Sequence, residues 1–258
     1  MKTTLNNTKK EDIKPAGEVK PDYDFRLAYR EELEQPNNKY KWLDIDRSSR
    51  WLSMFISKRV VKYTHFTPNQ ITVASLLASL SGGYFLLLGT YGYMLIGGIL
   101  SFMRQLLDQI DGEVARVKGP STDLGKWMDG VTGFVGIEVL IFCLALGINT
   151  QLSLTMGILA AMAFPMQYLL VFYYKFEIVK EREKMEIGKK GKFEFIRKMY
   201  GSTLFHILLL VGVIINKPLW VLIFFGTVGN MAWMITILIE YKNLRYRERK
   251  NFAANEAR

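Results

Sequence analysis

Residues 104–133 read RQLLDQIDGEVARVKGPSTDLGKWMDGVTG. This stretch decides the fold, because it sets Asp108, Asp111 and Asp129 inside or at the ends of two apolar runs. Carboxylates in such runs are expensive in hydrocarbon and require a partner or a function. At 3.6 residues per turn, Asp108, Asp111, Gly112 and Ala115 share one face of a helix. Gly125, Asp129 and Gly133 share a face of the next helix in the same way. The short KGPSTD turn folds the two helices together, so three carboxylates converge at one end of a bundle. Hard divalent cations such as Mg²⁺ or Mn²⁺ bind oxygen ligands of this kind, usually with substrate phosphates completing the shell. Gly112, Ala115 and Gly125 leave room for a ligand against the helix backbones, and Arg116 offers a forked donor suited to phosphate. Any one of these aspartates also fits a helix-terminal acid facing water, but the complete spacing is poorly accounted for that way.

On either side of this stretch the chain alternates between apolar and charged segments. It has 258 residues, is half apolar, and carries a formal net charge of +10. The mean hydropathy of +0.09 resembles that of a soluble protein only because two populations are averaged. Charge is concentrated before residue 70, between 175 and 200, and after 240. The rest contains apolar runs of about 20 residues, enough to cross a ~30 Å hydrocarbon core. A soluble globular enzyme, a disordered protein and a collagen-like protein are thereby excluded. The single cysteine, Cys143, excludes a disulfide framework and a cysteine-based zinc site.

The expected architecture is all-α: an integral membrane protein with six transmembrane helices and an N-terminal interfacial amphipathic helix. The spans fall at about 70–90, 92–117, 123–147, 152–174, 202–216 and 218–240, and the fifth is the shortest. Residues 1–46 form a polar N-terminal tail and surface segment, with a disordered stretch over 1–22 and a short helix within 24–40. Residues 47–69 hold the amphipathic helix and an arm leading into the first span. There Trp51, Leu52, Phe55, Ile56 and Val60 recur at near-helical spacing beside Arg47, Arg50, Lys58, Arg59 and Lys62. This pattern suits either the membrane interface or a helix packed on its own protein. Residues 70–241 form the membrane domain, and residues 242–258 form a basic C-terminal tail.

Short connections make spans 1 and 2, 3 and 4, and 5 and 6 antiparallel hairpins. The tight turns near 90, 150 and 217 contain one basic residue, Lys217. The opposite side carries the N-terminal arm, the C-terminal tail and the 175–200 loop, which includes Lys189, Lys190, Lys192 and Arg197. The positive-inside rule then places both termini and the aspartates at the cytoplasmic face of the cell membrane. The net charge is accounted for by topology and attraction to anionic membrane lipids, and no nucleic-acid partner is expected.

The pattern Asp108-x2-Asp111-Gly112-x2-Ala115-Arg116-x8-Gly125-x3-Asp129 resembles the signature of the CDP-alcohol phosphotransferase (phosphatidyltransferase) family. Thr67-Pro68-Asn69-Gln70-Ile71-Thr72 resembles the TPN-x-[IV]-T stretch of the same enzymes, and Ser48-Ser49-Arg50 is similar to a stretch in some members. The resemblance covers roughly residues 47–240. It implies a six-helix membrane enzyme, commonly a homodimer. Such an enzyme moves a phospho-alcohol group from a CDP-alcohol donor to a lipid or polar-alcohol acceptor, releasing CMP. It further implies that Asp108, Asp111 and Asp129 hold Mg²⁺ or Mn²⁺ at the diphosphate. Gly112, Ala115, Gly125 and Asn69 would line the nucleotide pocket, and Arg116 would assist at phosphate.

The family pattern ends with a fourth aspartate, where this sequence has Gly133. By resemblance that aspartate is a metal ligand or neighbour and the general base, whose help is typically worth ~10²–10⁴-fold. Arg104 lies one turn before Asp108, at a depth similar to that of Gly133 on the antiparallel helix. It is expected either to fill the space beside Gly133 or to pair with Asp108 at i,i+4. Asp129, Arg116 and Arg104 are the candidate catalytic residues. Three outcomes follow. The enzyme uses another base, such as Glu113 or water; or its acceptor is already anionic; or the chain is a catalytically impaired relative that binds nucleotide or lipid, or acts as a scaffold. Glu138 lies ~13 Å deeper than Asp129 by helix rise and faces away from it, which suits a helix partner or subunit interface. His206 is expected to be a hydrogen-bonded packing residue.

Overall fold

A computed structural model of the chain describes residues 45–118, 122–173 and 201–256. The N-terminal tail, the 24–40 helix and the whole of the basic 175–200 loop lie outside the described residues. Those that are described form seven helices: α1 Ile45–Tyr63, α2 Pro68–Leu87, α3 Tyr91–Lys118, α4 Asp123–Ile148, α5 Gln151–Tyr173, α6 Ser202–Ile214 and α7 Leu219–Glu256.

The boundaries have local causes. Thr67 caps α2 by accepting from the Gln70 amide, while the Gln70 side chain accepts from the Thr67 amide. Pro68 follows at the first helical position, where its missing N–H costs nothing. Thr122 caps α4 through the Gly125 amide at 3.0 Å. Asn149 ends α4 in the left-handed conformation, with φ of 52°, a region asparagine tolerates better than most residues. The chain then turns directly into α5. The last helix continues to Glu256, so the basic 242–258 tail is helical over most of its length.

Of the six expected spans, four helices are long and apolar enough to cross a membrane: Pro68–Leu87, Asp123–Ile148, Gln151–Leu170 and Leu219–Tyr246. The two exceptions have different reasons. Helix α6 has 13 residues, about 20 Å at 1.5 Å per residue. Helix α3 has 28 residues, but its second half carries Arg104, Asp108, Asp111, Glu113, Arg116 and Lys118.

Helix pairs pack through small residues, as expected where lipid tails remove the hydrophobic drive between helices and close van der Waals contact must supply it. A Cβ on Gly97 of α3 would lie 2.8 Å from the Gly82 carbonyl oxygen of α2, and one on Gly82 would lie 3.2 Å from the Gly97 oxygen. Gly82 and Gly97 therefore mark a close contact between the two helices. Similar approaches join Gly136 to Ser79 (α4 to α2) and Gly226 to Met156 (α7 to α5). The core contains Leu86, Leu140, Leu144, Phe205, Leu209, Leu222 and Phe225, all fully buried.

Helix α1 packs on α3. Its Ile56, Val60 and Val61 lie against a small cluster of Ile71, Ile110 and Val114, and Ser53 donates to Glu113 at 2.9 Å. Of the two readings of this segment, packing on its own protein is realised. Its outer side still carries exposed Phe55, with the Arg59 guanidinium 3.7 Å above the ring.

Candidate active site

The second half of α3, the first half of α4 and the start of α2 meet at one end of the bundle. Asp111 is buried at 5% exposure and accepts a 2.6 Å hydrogen bond from the Thr72 hydroxyl of α2. Asp108 is half-buried and Asp129 is open to solvent. The three carboxylates are near enough for their charges to act on one another: Asp111 is affected by both Asp129 and Asp108, and Asp129 by Asp108. The three carboxylates thus lie at the same end of the bundle, within range of one another's charge.

The glycines have distinct surroundings. A Cβ on Gly112 would meet only the Arg116 Nη1, at 3.7 Å, so open space lies beside this backbone with a guanidinium at its edge. A Cβ on Gly125 would instead meet Asn69 Oδ1 at 3.0 Å and Thr122 Oγ1 at 3.2 Å. The missing side chain at 125 is what lets the Asn69 amide approach α4. The family resemblance grouped Gly125 and Asn69, and the structure brings the Asn69 amide close to Gly125. Ala115 is partly exposed on the same stretch of α3.

Arg104 realises both of its alternatives. Its Nη2 donates to Asp108 Oδ1 at 3.2 Å and to the Gly133 carbonyl oxygen at 3.3 Å. A Cβ on Gly133 would sit 3.7 Å from the same nitrogen. Its Nη1 lies 2.9 Å from His206 Nε2, and His206 Nδ1 lies 2.6 Å from Ser101 Oγ. Arginine only donates, so Nε2 accepts and the proton of the neutral imidazole is on Nδ1, donating to Ser101. Gln105, one residue on, bonds Thr203 and Ser202 of α6, each at 2.9 Å. These contacts tie α6 to α3 at the level of the site.

Glu113 does not take the missing aspartate's place. It lies two residues from Asp111, close to the opposite side of α3, where it meets Ser53 of α1. Sequence reasoning assigned no site role to Thr72, His206 or Ser101. Thr72 was within reach as the last residue of the TPN-type stretch. The other two are contacts across helices far apart in sequence, with no local signal.

The donor chemistry fits a divalent cation: all three side chains offer carboxylate oxygen at one helix-bundle end. Among the described residues, no three His, Cys, Asp or Glu side chains are gathered closely enough to hold a metal alone. Substrate oxygens would complete the shell, as is usual for Mg²⁺.

The sequence profile of the CDP-alcohol phosphatidyltransferase family matches residues 65–238. The chain belongs to that family. Transfer of a phospho-alcohol group from a CDP-alcohol is what membership implies, and the family is generally dependent on a divalent metal. The phosphatidyltransferase match begins just before the TPN-type arm and ends within α7, so it includes every candidate site residue. The chain is also similar to a bifunctional IPC transferase and DIPP synthase of Aquifex aeolicus (strain VF5). The two are 41% identical over 85 residues, which is 32% of this chain and 19% of that protein. The matched stretch therefore corresponds to a minor part of that relative's length.

Proposed function

We propose that this protein is a membrane transferase that moves a phospho-alcohol group from a CDP-alcohol to an acceptor, releasing CMP, with Mg²⁺ or Mn²⁺ held by Asp108, Asp111 and Asp129. The reading is supported by the mutual electrostatic influence of three carboxylates at one end of the bundle, beside the open backbone at Gly112. A divalent cation there supplies charge neutralisation for the donor diphosphate and the departing CMP. Thr72 orients Asp111 from α2. Arg116 reaches a phosphate oxygen from the edge of the Gly112 opening. Asn69, Gly112, Ala115 and Gly125 line the space for the nucleotide. Helices α2 to α7 cross the membrane with both termini and the site at the cytoplasmic face. In that setting α1 lies at the lipid interface, and two chains form a homodimer. A soluble nucleotide and a lipid or polar alcohol can both reach a site at that depth.

Gly133 favours one variation on this reading. With no carboxylate at that position and Glu113 turned towards α1, an acceptor that is already anionic, such as a phosphate, needs no deprotonation. Without activity on any acceptor, the chain is a binding or scaffold relative.

The test is CMP release by the purified full chain with CDP-alcohol donors, Mg²⁺ or Mn²⁺, and paired hydroxyl and phosphate acceptors. Turnover with at least one acceptor, abolished by EDTA and by Asp111→Asn, is the expected result. No turnover with either acceptor class, in a preparation that still binds CDP, would select the impaired relative.

A further inference from the structure

The Arg104 guanidinium is 1% exposed and lies on the side of the carboxylate group that faces Gly133. A fully buried cation must be neutralised and hydrogen-bonded where it stands, and Asp108 supplies the anion at 3.2 Å. Its charge acts on Asp129 as well. It is also held in place. His206, itself fully buried, accepts from Nη1 and is fixed in turn by Ser101. The Gly133 carbonyl oxygen takes Nη2. A Cβ on Gly136 would come within 3.2 Å of Nε, so α4 closes over the side chain.

We propose that Arg104 stands in for a second divalent cation, so that the site takes a single Mg²⁺ or Mn²⁺. The inference rests on the reading of Asp108, Asp111 and Asp129 as metal ligands. Three carboxylates and one fixed guanidinium leave a charge that one divalent ion balances. A second ion on the Gly133 side would find no carboxylate from position 133, with Asp108 already paired to Arg104, and would lie against a cation that has nowhere to move. Arg104 is thus a positioning residue: it sets how many ions the carboxylates accept and on which side.

The geometry also says what restoring the carboxylate does. The site of a Cβ on Gly133 is 3.7 Å from Nη2, ordinary contact distance, so a side chain can begin there beside the guanidinium. An aspartate's carboxylate pairs with Arg104 instead of recruiting an ion. Gly133→Asp alone therefore leaves the stoichiometry unchanged, and a second ion requires that Arg104 be removed as well.

The experiment is Mn²⁺ binding to the detergent-purified full chain, with and without CDP, read by equilibrium stoichiometry and by electron paramagnetic resonance. The expected result is one magnetically isolated Mn²⁺ per chain for the unaltered protein, for Arg104→Lys and for Gly133→Asp. Arg104→Ala combined with Gly133→Asp is expected to take two ions with an exchange-coupled spectrum. Two coupled ions in the unaltered protein would overturn the inference while leaving the carboxylates as ligands. The double variant remaining at one ion would also overturn it. No Mn²⁺ binding under any condition would overturn the ligand reading itself, and the inference with it. Should the double variant fail to fold, the unaltered protein and Gly133→Asp still decide.

Discussion

His206 shows how a neighbour sets a residue's chemistry. Facing the Arg104 guanidinium, its Nε2 can only accept, and the Nδ1 proton goes to Ser101. Removing the imidazole leaves a buried guanidinium nitrogen unsatisfied, at a cost of about 1–3 kcal/mol or more for a charged group. His206→Leu is expected to lower the midpoint of thermal unfolding in detergent. His206→Gln, which can still present an oxygen to Arg104, is expected to lose less. Equal loss in both variants would mean that His206 only fills space. For Arg104, the sequence allowed either pairing one turn along its own helix or reaching Gly133. Helical periodicity predicts the first from spacing alone. The second depends on how closely α4 approaches α3, which spacing does not encode.

At the scale of elements, the site is only as well placed as the contacts between its helices. Thr72 reaches Asp111 because α2 lies tightly on α3, and that closeness comes from the Gly82–Gly97 approach. Gly97→Ala puts a Cβ 2.8 Å from a backbone oxygen and 2.7 Å from Leu86 Cγ. The backbone cannot yield as a flexible side chain would. Overpacking of this kind costs about 1–3 kcal/mol. The variant is expected to unfold at lower temperature and to bind Mn²⁺ more weakly, whereas Gly92→Ala, with nothing within 4 Å, is expected to leave both unchanged. Weakening by both variants alike would argue against the α2–α3 contact as the cause. Which glycine faces which helix was not legible in sequence: the Gly125–Asn69 contact spans two helices and is invisible to periodicity.

For the whole molecule, the charge distribution makes a topological prediction. In a Cys143→Ser background, cysteines placed at Lys126 and Arg249 are expected to react with an impermeant maleimide only from the cytoplasmic side. Cysteines at Gln151 and Asn216 should react only from the opposite side. All four positions are exposed on the protein surface. Labelling of Lys126 and Gln151 from the same side would break the antiparallel arrangement of α4 and α5 in the membrane. The starts of the helices from 68 onward lie close to those read from apolar runs, because length and composition govern membrane crossing, whereas α7 continues past residue 240 to Glu256. The short α6 and the charge-laden α3 fall outside that rule. They are held by partners instead: α3 through Arg104 and Gln105, and α6 through His206, Thr203 and Ser202.

By itself, the sequence determined that this is a helical membrane protein of the CDP-alcohol phosphatidyltransferase family, with three aspartates at one end and a glycine where a fourth is expected. Apolar length and the 3.6-residue period carry the helical membrane character locally; the family and the expected fourth aspartate rest on the resemblance of the Asp–Gly–Ala–Arg spacing and on the family profile. Only the tertiary structure decided what stands beside Gly133. Filling that place takes an arginine from α3, a histidine from α6 and a carbonyl from α4. A buried guanidinium settles where its acceptors are, and those acceptors come together only when the helices pack.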